Sequence, residues 1–372
     1  MISVDSVRFE RNFKAAHDEL LKAIDLCPFQ PEAYYKRALL YFQTSNQKEM
    51  LRAVTITKFV CRGHPFWTLL CDGYIEEVAQ NYRKSKDLYL SAFKIEKETV
   101  LEYYQSFYSI SRNMAETMYS LFDIFTPFFS IFNAGCVMMD IDLYADAIKE
   151  FENAITSLEN GCNVPNFYYP EHKERILKVG RALCYNNIGC CYINTESETA
   201  LKYLGKAVEN CSNYILVYSN RMSTNARTDN YAQIVEDSET VLKFVTNPDQ
   251  VEVMEVERIS ALEKMLRNNP YKAYSKQKFK EELEELSKKY PKNYTIYITQ
   301  ACSSNSLEDA ISIVDQGIKN IDGSAVENEY KLLTLIEFRS QLLNGIGKTA
   351  EADKDLNFVT MAFQSEYLLR IE

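Results

Sequence analysis

Three histidines, ten cysteines and a run of glutamates are the residues of this 372-residue chain whose types suit catalysis or metal binding. His17 sits among Ala15, Ala16 and Asp18 in a helical pattern, and His64 and His172 stand beside prolines in expected turns. None has a second ligand-type residue at the short spacing a metal site uses. The cysteines are scattered, and no C-x-x-C occurs. Cys190 and Cys191 are adjacent, which on a helix turns their side chains about 100° apart, and buried free thiols account for them better than ligation. Glu281, Glu282, Glu284 and Glu285 belong to one charged amphipathic helix, KQKFKEELEELSKKYPKN, and read as its solvated face. No phosphate-cradling glycine loop, zinc-protease helix or nucleophile elbow is present. The expectation is a protein that is not an enzyme, with no catalytic residue, no metal and no cofactor.

Composition points the same way. Lys plus Arg is 42 against 52 Asp plus Glu, a net charge of −10. That balance repels phosphate backbones and anionic lipid, so neither nucleic acid nor membrane is expected as a partner. Nine Pro and 11 Gly are roughly half the usual combined share, which favours helices joined by short turns. Unpaired cysteines suit a reducing compartment, and MISVDSVRFE lacks the apolar core of a secretory signal, so the location expected is cytoplasmic. The sequons at Asn210 and Asn293 are then idle. Met118–Met139 is apolar enough to raise a membrane span, but Asp123, Pro127 and Asn133 interrupt it, and an ionisable residue inside a span is costly.

The elements that position these residues repeat. Between Ala182 and Leu242 the chain reads as two helical pairs in one register: Ala200, Leu201, Leu204, Ala207 and Val208 recur 34 residues later as Ile234, Val235, Ser238, Val241 and Leu242. Pro65 likewise follows Pro31 by 34, and both suit a first helical turn, where a missing N–H is harmless. Small residues recur within the pairs: Ala38 with Thr57, Gly73 with Ala92, Gly135 with Ala154 and Gly189 with Ala207, 18 or 19 apart. A glycine inside a helix costs about 1 kcal/mol against alanine, so three at this point require a packing reason, namely the close approach of paired helices. Met222 and Val241 keep the spacing but not the small size.

A two-helix unit with a period of 34 resembles the tetratricopeptide repeat (TPR) family. The resemblance implies an all-α fold, a TPR-like right-handed α-solenoid, that is, a superhelix of about seven to nine antiparallel helix hairpins. It holds best over 13–245. Residues 1–248 are expected to carry the repeats, starting on a half repeat, with an insertion near 158–178 around Pro165 and Pro170. Residues 249–372 are expected to carry degenerate repeats and a C-terminal cap, continuous with the first part. Residues 99–127 fill one repeat length without the small pair and read as a degenerate repeat. The run from Pro170 to Ile193 reads as an extended first helix.

The resemblance also implies where a partner would bind. In this family the first helices line a concave groove, and the sixth place of successive units here is Lys36, Cys71, Asn133, Asn187 and Asn220. Three successive asparagines at one height could donate to and accept from an extended backbone; the alternative is that Asn is simply a common residue at that place in the family. Phe129, Phe132, Asn186, Arg227 and Trp67 occupy other groove-side places, and aromatic lining suits apolar or helical segments. One branch of the family clamps acidic chaperone tails with fixed cations. Here Asn220 matches its middle Asn, but Tyr185 and Cys190 stand where Lys and Asn belong, and Gln250–Ile259 lacks the basic pair, so no carboxylate clamp is expected. Two functions stay open: a non-catalytic adaptor or scaffold for a protein or peptide partner, and a protein-targeting receptor or co-chaperone. The oligomeric state is not encoded in any pattern found.

Overall fold

Pro31 and Pro65 each open a helix, as their spacing predicts. At Pro65 the preceding His64 caps the helix, its Nδ1 accepting from the backbone N–H groups of Phe66 (3.3 Å) and Trp67 (3.4 Å). The structure is a computed structural model that describes residues 9–26, 31–43, 47–120, 126–162, 173–268, 276–321 and 326–369. His172, Pro165, Pro170 and Asp123 lie outside them. The described residues are helical, joined by turns, with no strand among them. Two compact units form, Met1–Thr228 and Asp229–Glu372.

The first unit contains α1 (Phe9–Leu26), α2 (Pro31–Gln43), α3 (Gln47–Cys61), α4 (Pro65–Val78), α5 (Tyr82–Phe93), α6 (Lys97–Tyr108), α7 (Arg112–Met118), α8 (Thr126–Asp140), α9 (Tyr144–Cys162), α10 (Lys173–Tyr192), α11 (Ser197–Asn210) and α12 (Ile215–Arg227). Hairpins α2/α3, α4/α5, α8/α9 and α10/α11 stack on one another, with α1 against α2 and α12 against α11. Helix α10 has the extended length read from the sequence.

Glycine sets the approach within three of these hairpins. A Cβ built on Gly73 would lie 2.7 Å from the Tyr89 ring, one on Gly135 2.7 Å from the Phe151 ring, and one on Gly189 2.8 Å from Leu204 Cγ. The sequence spacing marks the contact correctly, but each glycine receives a large side chain. That side chain stands three residues before the alanine of the expected pair, and Ala92, Ala154 and Ala207 are themselves buried. A hole on the first helix and a ring or isobutyl group from the second make a tighter joint than two small faces, because the buried apolar area is larger.

Residues 97–118 form a hairpin, α6/α7, but not a layer of the stack. Helix α8 follows α7 in the chain, yet it packs directly on α5, with Ala134 and Val137 in the same core as Tyr35, Trp67 and Tyr89. The α6/α7 hairpin keeps a small core of its own, Val100, Leu101, Tyr104 and Ala115. It is tied to the stack at the α3–α4 corner, where the Tyr103 hydroxyl donates to the Cys61 carbonyl (2.6 Å) and His64 meets Tyr103 and Tyr104 edge-on at 4.8 and 5.3 Å. It has the length of a repeat without the glycine that would let it nest. Burial in this corner pushes the His64 imidazole down to about 3, so it remains neutral.

The second unit contains α13 (Tyr231–Leu242), α14 (Pro248–Asn268), α15 (Lys276–Lys289), α16 (Tyr294–Cys302), α17 (Leu307–Asn320), α18 (Val326–Gly345) and α19 (Thr349–Leu369). Here the glycine joint is inverted: Gly317 on the later helix would bring a Cβ to 2.7 Å from the Tyr297 ring on the earlier one. Asn293 and Ser306 cap α16 and α17 through their side-chain oxygens, as short polar residues at helix starts do. Glu282 pairs with Arg258, and Glu284 pairs with Lys288 at 2.8 Å, so these acids of α15 hold helices together or face solvent. The final hairpin α18/α19 turns around Gly345 and Gly347, the latter at φ +80°, and Arg339 ties it with 2.7 Å bonds to Asp315 and Asp355.

Candidate functional site

The side of the first unit built from first helices carries a line of amides. Asn133 on α8 donates to the Tyr35 hydroxyl on α2 at 3.1 Å. Asn187 on α10 donates to Cys136 Sγ on α8 at 3.4 Å and accepts from Asn186 at 3.1 Å. Asn220 on α12 donates to Asn186 Oδ1 at 2.9 Å and to Cys190 Sγ at 3.2 Å, both on α10. Each asparagine therefore bridges to another first helix. All three sixth-place asparagines are half-buried, whereas Asn186 is 1 % exposed and belongs wholly to the interior of the row. Among the described residues nothing donates to Asn133 Oδ1 or Asn220 Oδ1, so those carbonyls keep their acceptor capacity.

Other expected lining residues divide by burial. Phe129 and Phe132 are half-buried, with Phe132 stacked on Phe128 at 5.7 Å and tilted against Phe151 at 5.5 Å, so they offer an edge and spend the rest on packing. Trp67 is 2 % exposed, between Tyr35 at 5.5 Å and Phe66 at 5.6 Å, and offers no surface. Lys36 is half-buried on α2. Arg227 is exposed at the end of α12, donating to Asn194 Oδ1 at 2.8 Å and to the Ile193 carbonyl at 3.3 Å. Leu216, one turn before Asn220, is 51 % exposed; a large apolar side chain on the same stripe as Asn220 is a signal the sixth-place reading did not use.

The thiols along this line are protonated. Burial pushes Cys136 well up, Cys190 up to about 11 and Cys191 up to about 12. A thiol is a nucleophile or metal ligand as its thiolate, so these act as small apolar groups and weak hydrogen-bond partners. Among the described residues no group of three or more His, Cys, Asp or Glu could hold a metal.

One acid in the first unit is held in an unusual state. Tyr89, admitted by the hole at Gly73, donates its hydroxyl to Glu77 Oε2 at 2.7 Å. Burial pushes the Glu77 carboxyl up to about 7, against the opposing effect of the Tyr89 bond, and the charge of Asp140 raises it further. Sequence pattern gave no sign of this pair, although Gly73 and Tyr89 are the same joint that recurs at Gly135 and Phe151.

The fold is all-α among the described residues, and in the first unit it is a TPR-like stack of antiparallel helix hairpins. No family model and no curated protein matches the chain. Solved structures similar to it include the APC/C hetero-tetramer Cut9–Hcn1, at 11 % identity and a TM-score of 0.37, covering 95 % of this chain and 84 % of that one. Yeast Tom70 is similar at 14 % identity and 0.31, covering 96 % and 88 %, and the TPR domain of P58(IPK) at 13 % and 0.22, covering 90 % and 94 %. No helix among the described residues is long and apolar enough to cross a membrane.

Proposed function

We propose that the protein is a non-catalytic adaptor or scaffold that holds a segment of a protein partner against the first-helix side of residues 129–227. What supports this reading is that Asn133, Asn187 and Asn220 are half-buried and each bonded to a neighbouring first helix, with the carbonyl acceptors of Asn133 and Asn220 left over. A backbone laid along the line can donate to those carbonyls, while the edges of Phe129 and Phe132 and the exposed Leu216 supply apolar contact. Mixed lining of this kind, apolar anchors with a few placed polar groups, is what segment recognition uses. Protein partners are also the use to which stacked-hairpin surfaces are put in general.

The bridging role of the asparagines decides which variant is informative. Replacing Asn187 and Asn220 by Ala removes bonds between helices, each worth about 1 kcal/mol, so lost binding would be mixed with lost stability. Leu216→Glu avoids this because the side chain is half exposed. In the full chain purified from its native source, Leu216→Glu is expected to cut recovery of the co-purifying partner at least roughly tenfold, the cost of one desolvated charge at an anchor, with an unchanged melting temperature. Lys202→Glu, on the exposed side of α11, is expected to leave recovery as it was. Equal loss in both variants, or in neither, would contradict the assignment to this side.

A further inference from the structure

Tyr89 stands where α4, α5 and α8 meet. Its ring fills the hole at Gly73 of α4, and its hydroxyl donates to Glu77 Oε2, also of α4, at 2.7 Å. Its backbone carbonyl accepts from the hydroxyl of Ser130 on α8, a residue with no exposed surface. The seam between α5 and α8, where the chain passes over α6/α7, is therefore a single residue away from a carboxyl group. The same seam carries the bond from Asn133 of α8 to the Tyr35 hydroxyl of α2 at 3.1 Å.

The groups that face Glu77 come from four helices: Tyr35 from α2, Tyr74 from α4 itself, Tyr89 from α5, and Cys136 and Asp140 from α8. None of them is a cation. Lys58 of α3 and Lys84 of α5 pair with Asp72 and Glu76, and Tyr103 of α6 is held by the Cys61 carbonyl. A half-buried carboxylate among hydroxyls, a thiol and a second acid has nothing to offset its charge. Protonated, the same group keeps the Tyr89 bond, carries no charge to desolvate and does not repel Asp140 across the seam. We propose that the proton on Glu77 latches α8 onto α4 and α5, and that its loss loosens this seam. The enclosed carboxyl titrates near 7 against an ordinary 4.5, so the latch is complete below about pH 4.5 and is released as pH rises through 7. Loosening reaches the asparagine line through Asn133, and it does not depend on what occupies that line.

The test is amide hydrogen exchange of the full chain at pH 6, 7 and 8, each amide corrected for its intrinsic exchange rate. Protection of the α8 amides is expected to fall about tenfold between pH 6 and pH 8, the ratio for a carboxyl that passes from about 7 to 4.5 when the seam opens. In Glu77→Gln the protection is expected to stay level over the same range. Asp140→Asn, which changes an exposed side chain on the far side of the seam, is expected to shrink the fall, because the acid that faces Glu77 is gone. A fall that persists in Glu77→Gln, or that Asp140→Asn leaves untouched, overturns the proposal. Protection in α8 equal at every pH to that in α11 overturns it as well, since global unfolding alone would then expose the acid.

Discussion

Phe151→Ala is expected to destabilise the first unit by about 3–5 kcal/mol, the usual cost of emptying a fully buried phenyl site. Phe151 is 0 % exposed and fills the hole left by Gly135. Denaturant unfolding of the full chain reads the loss as a lower midpoint. The partner substitution gives the sharper result. Gly135→Ala places a methyl 2.7 Å from the ring, so in the native background overpacking costs about 1–3 kcal/mol. With Phe151→Ala in place no large side chain stands in the hole, and alanine at 135 recovers its helix preference, up to about 1 kcal/mol. The sign of the alanine effect should therefore reverse between the two backgrounds. Additive effects would mean that Gly135 and Phe151 do not share a joint.

Glu77→Gln is expected to stabilise the protein at alkaline pH and to leave it unchanged in acid. The carboxyl titrates near 7 in the folded protein against an ordinary value of 4.5, so the folded state binds its proton more tightly than the unfolded one. The stability this gives is complete below about pH 4.5 and is lost as pH rises through 7. Glutamine carries no charge to bury, and its amide oxygen still accepts from Tyr89. By pH 8.5 the variant should exceed the native protein by up to about 3 kcal/mol, since each pKa unit corresponds to about 1.4 kcal/mol. At pH 4 the two should melt together. A gain of equal size at both pH values would assign the effect to packing and not to charge.

Some of this architecture is legible in the residues themselves, and particular positions show why the rest is not. Pro31 and Pro65 mark helix starts because a proline at a first turn costs nothing there. Gly73, Gly135 and Gly189 mark the joints because glycine within a helix is otherwise a loss. What they receive is not the small residue that the spacing predicts, since spacing reports where two helices come together but not which side chain crosses. Tyr89, Phe151 and Leu204 stand one turn away from that residue. The length of the α6/α7 stretch, that of a repeat, predicts a layer of the stack. Length is not what makes a layer; without a recess in its first helix it stays outside, and α8 takes the place beside α5.

The asparagine line was legible from repeat phase, because residues one period apart share a face. How far its donors are committed was not, since Asn133 meets Tyr35 only through the direct packing of α8 on α5, across 98 positions of sequence. Trp67 shares the phase of a lining residue and is nonetheless enclosed by Tyr35 and Phe66, because an early first-helix place faces outward only if the neighbouring helix leaves it uncovered. The Glu77–Tyr89 pair was hidden for a different reason. Burial of a single acid leaves no periodic trace, and its only sequence sign is the glycine that admits the tyrosine ring.

The account stands or falls on which side of the first unit meets the partner. A photo-cross-linking residue placed at Leu183 or Leu216, on first helices α10 and α12, is to be compared in cells of the native source with the same residue at Lys149 or Lys202, on second helices α9 and α11. The account predicts one discrete cross-linked protein from 183 and 216, lost in the presence of Leu216→Glu when the probe is at 183, and none from 149 or 202. The same adduct formed from 149 or 202, with 183 and 216 silent, would place the partner on the opposite side and contradict it.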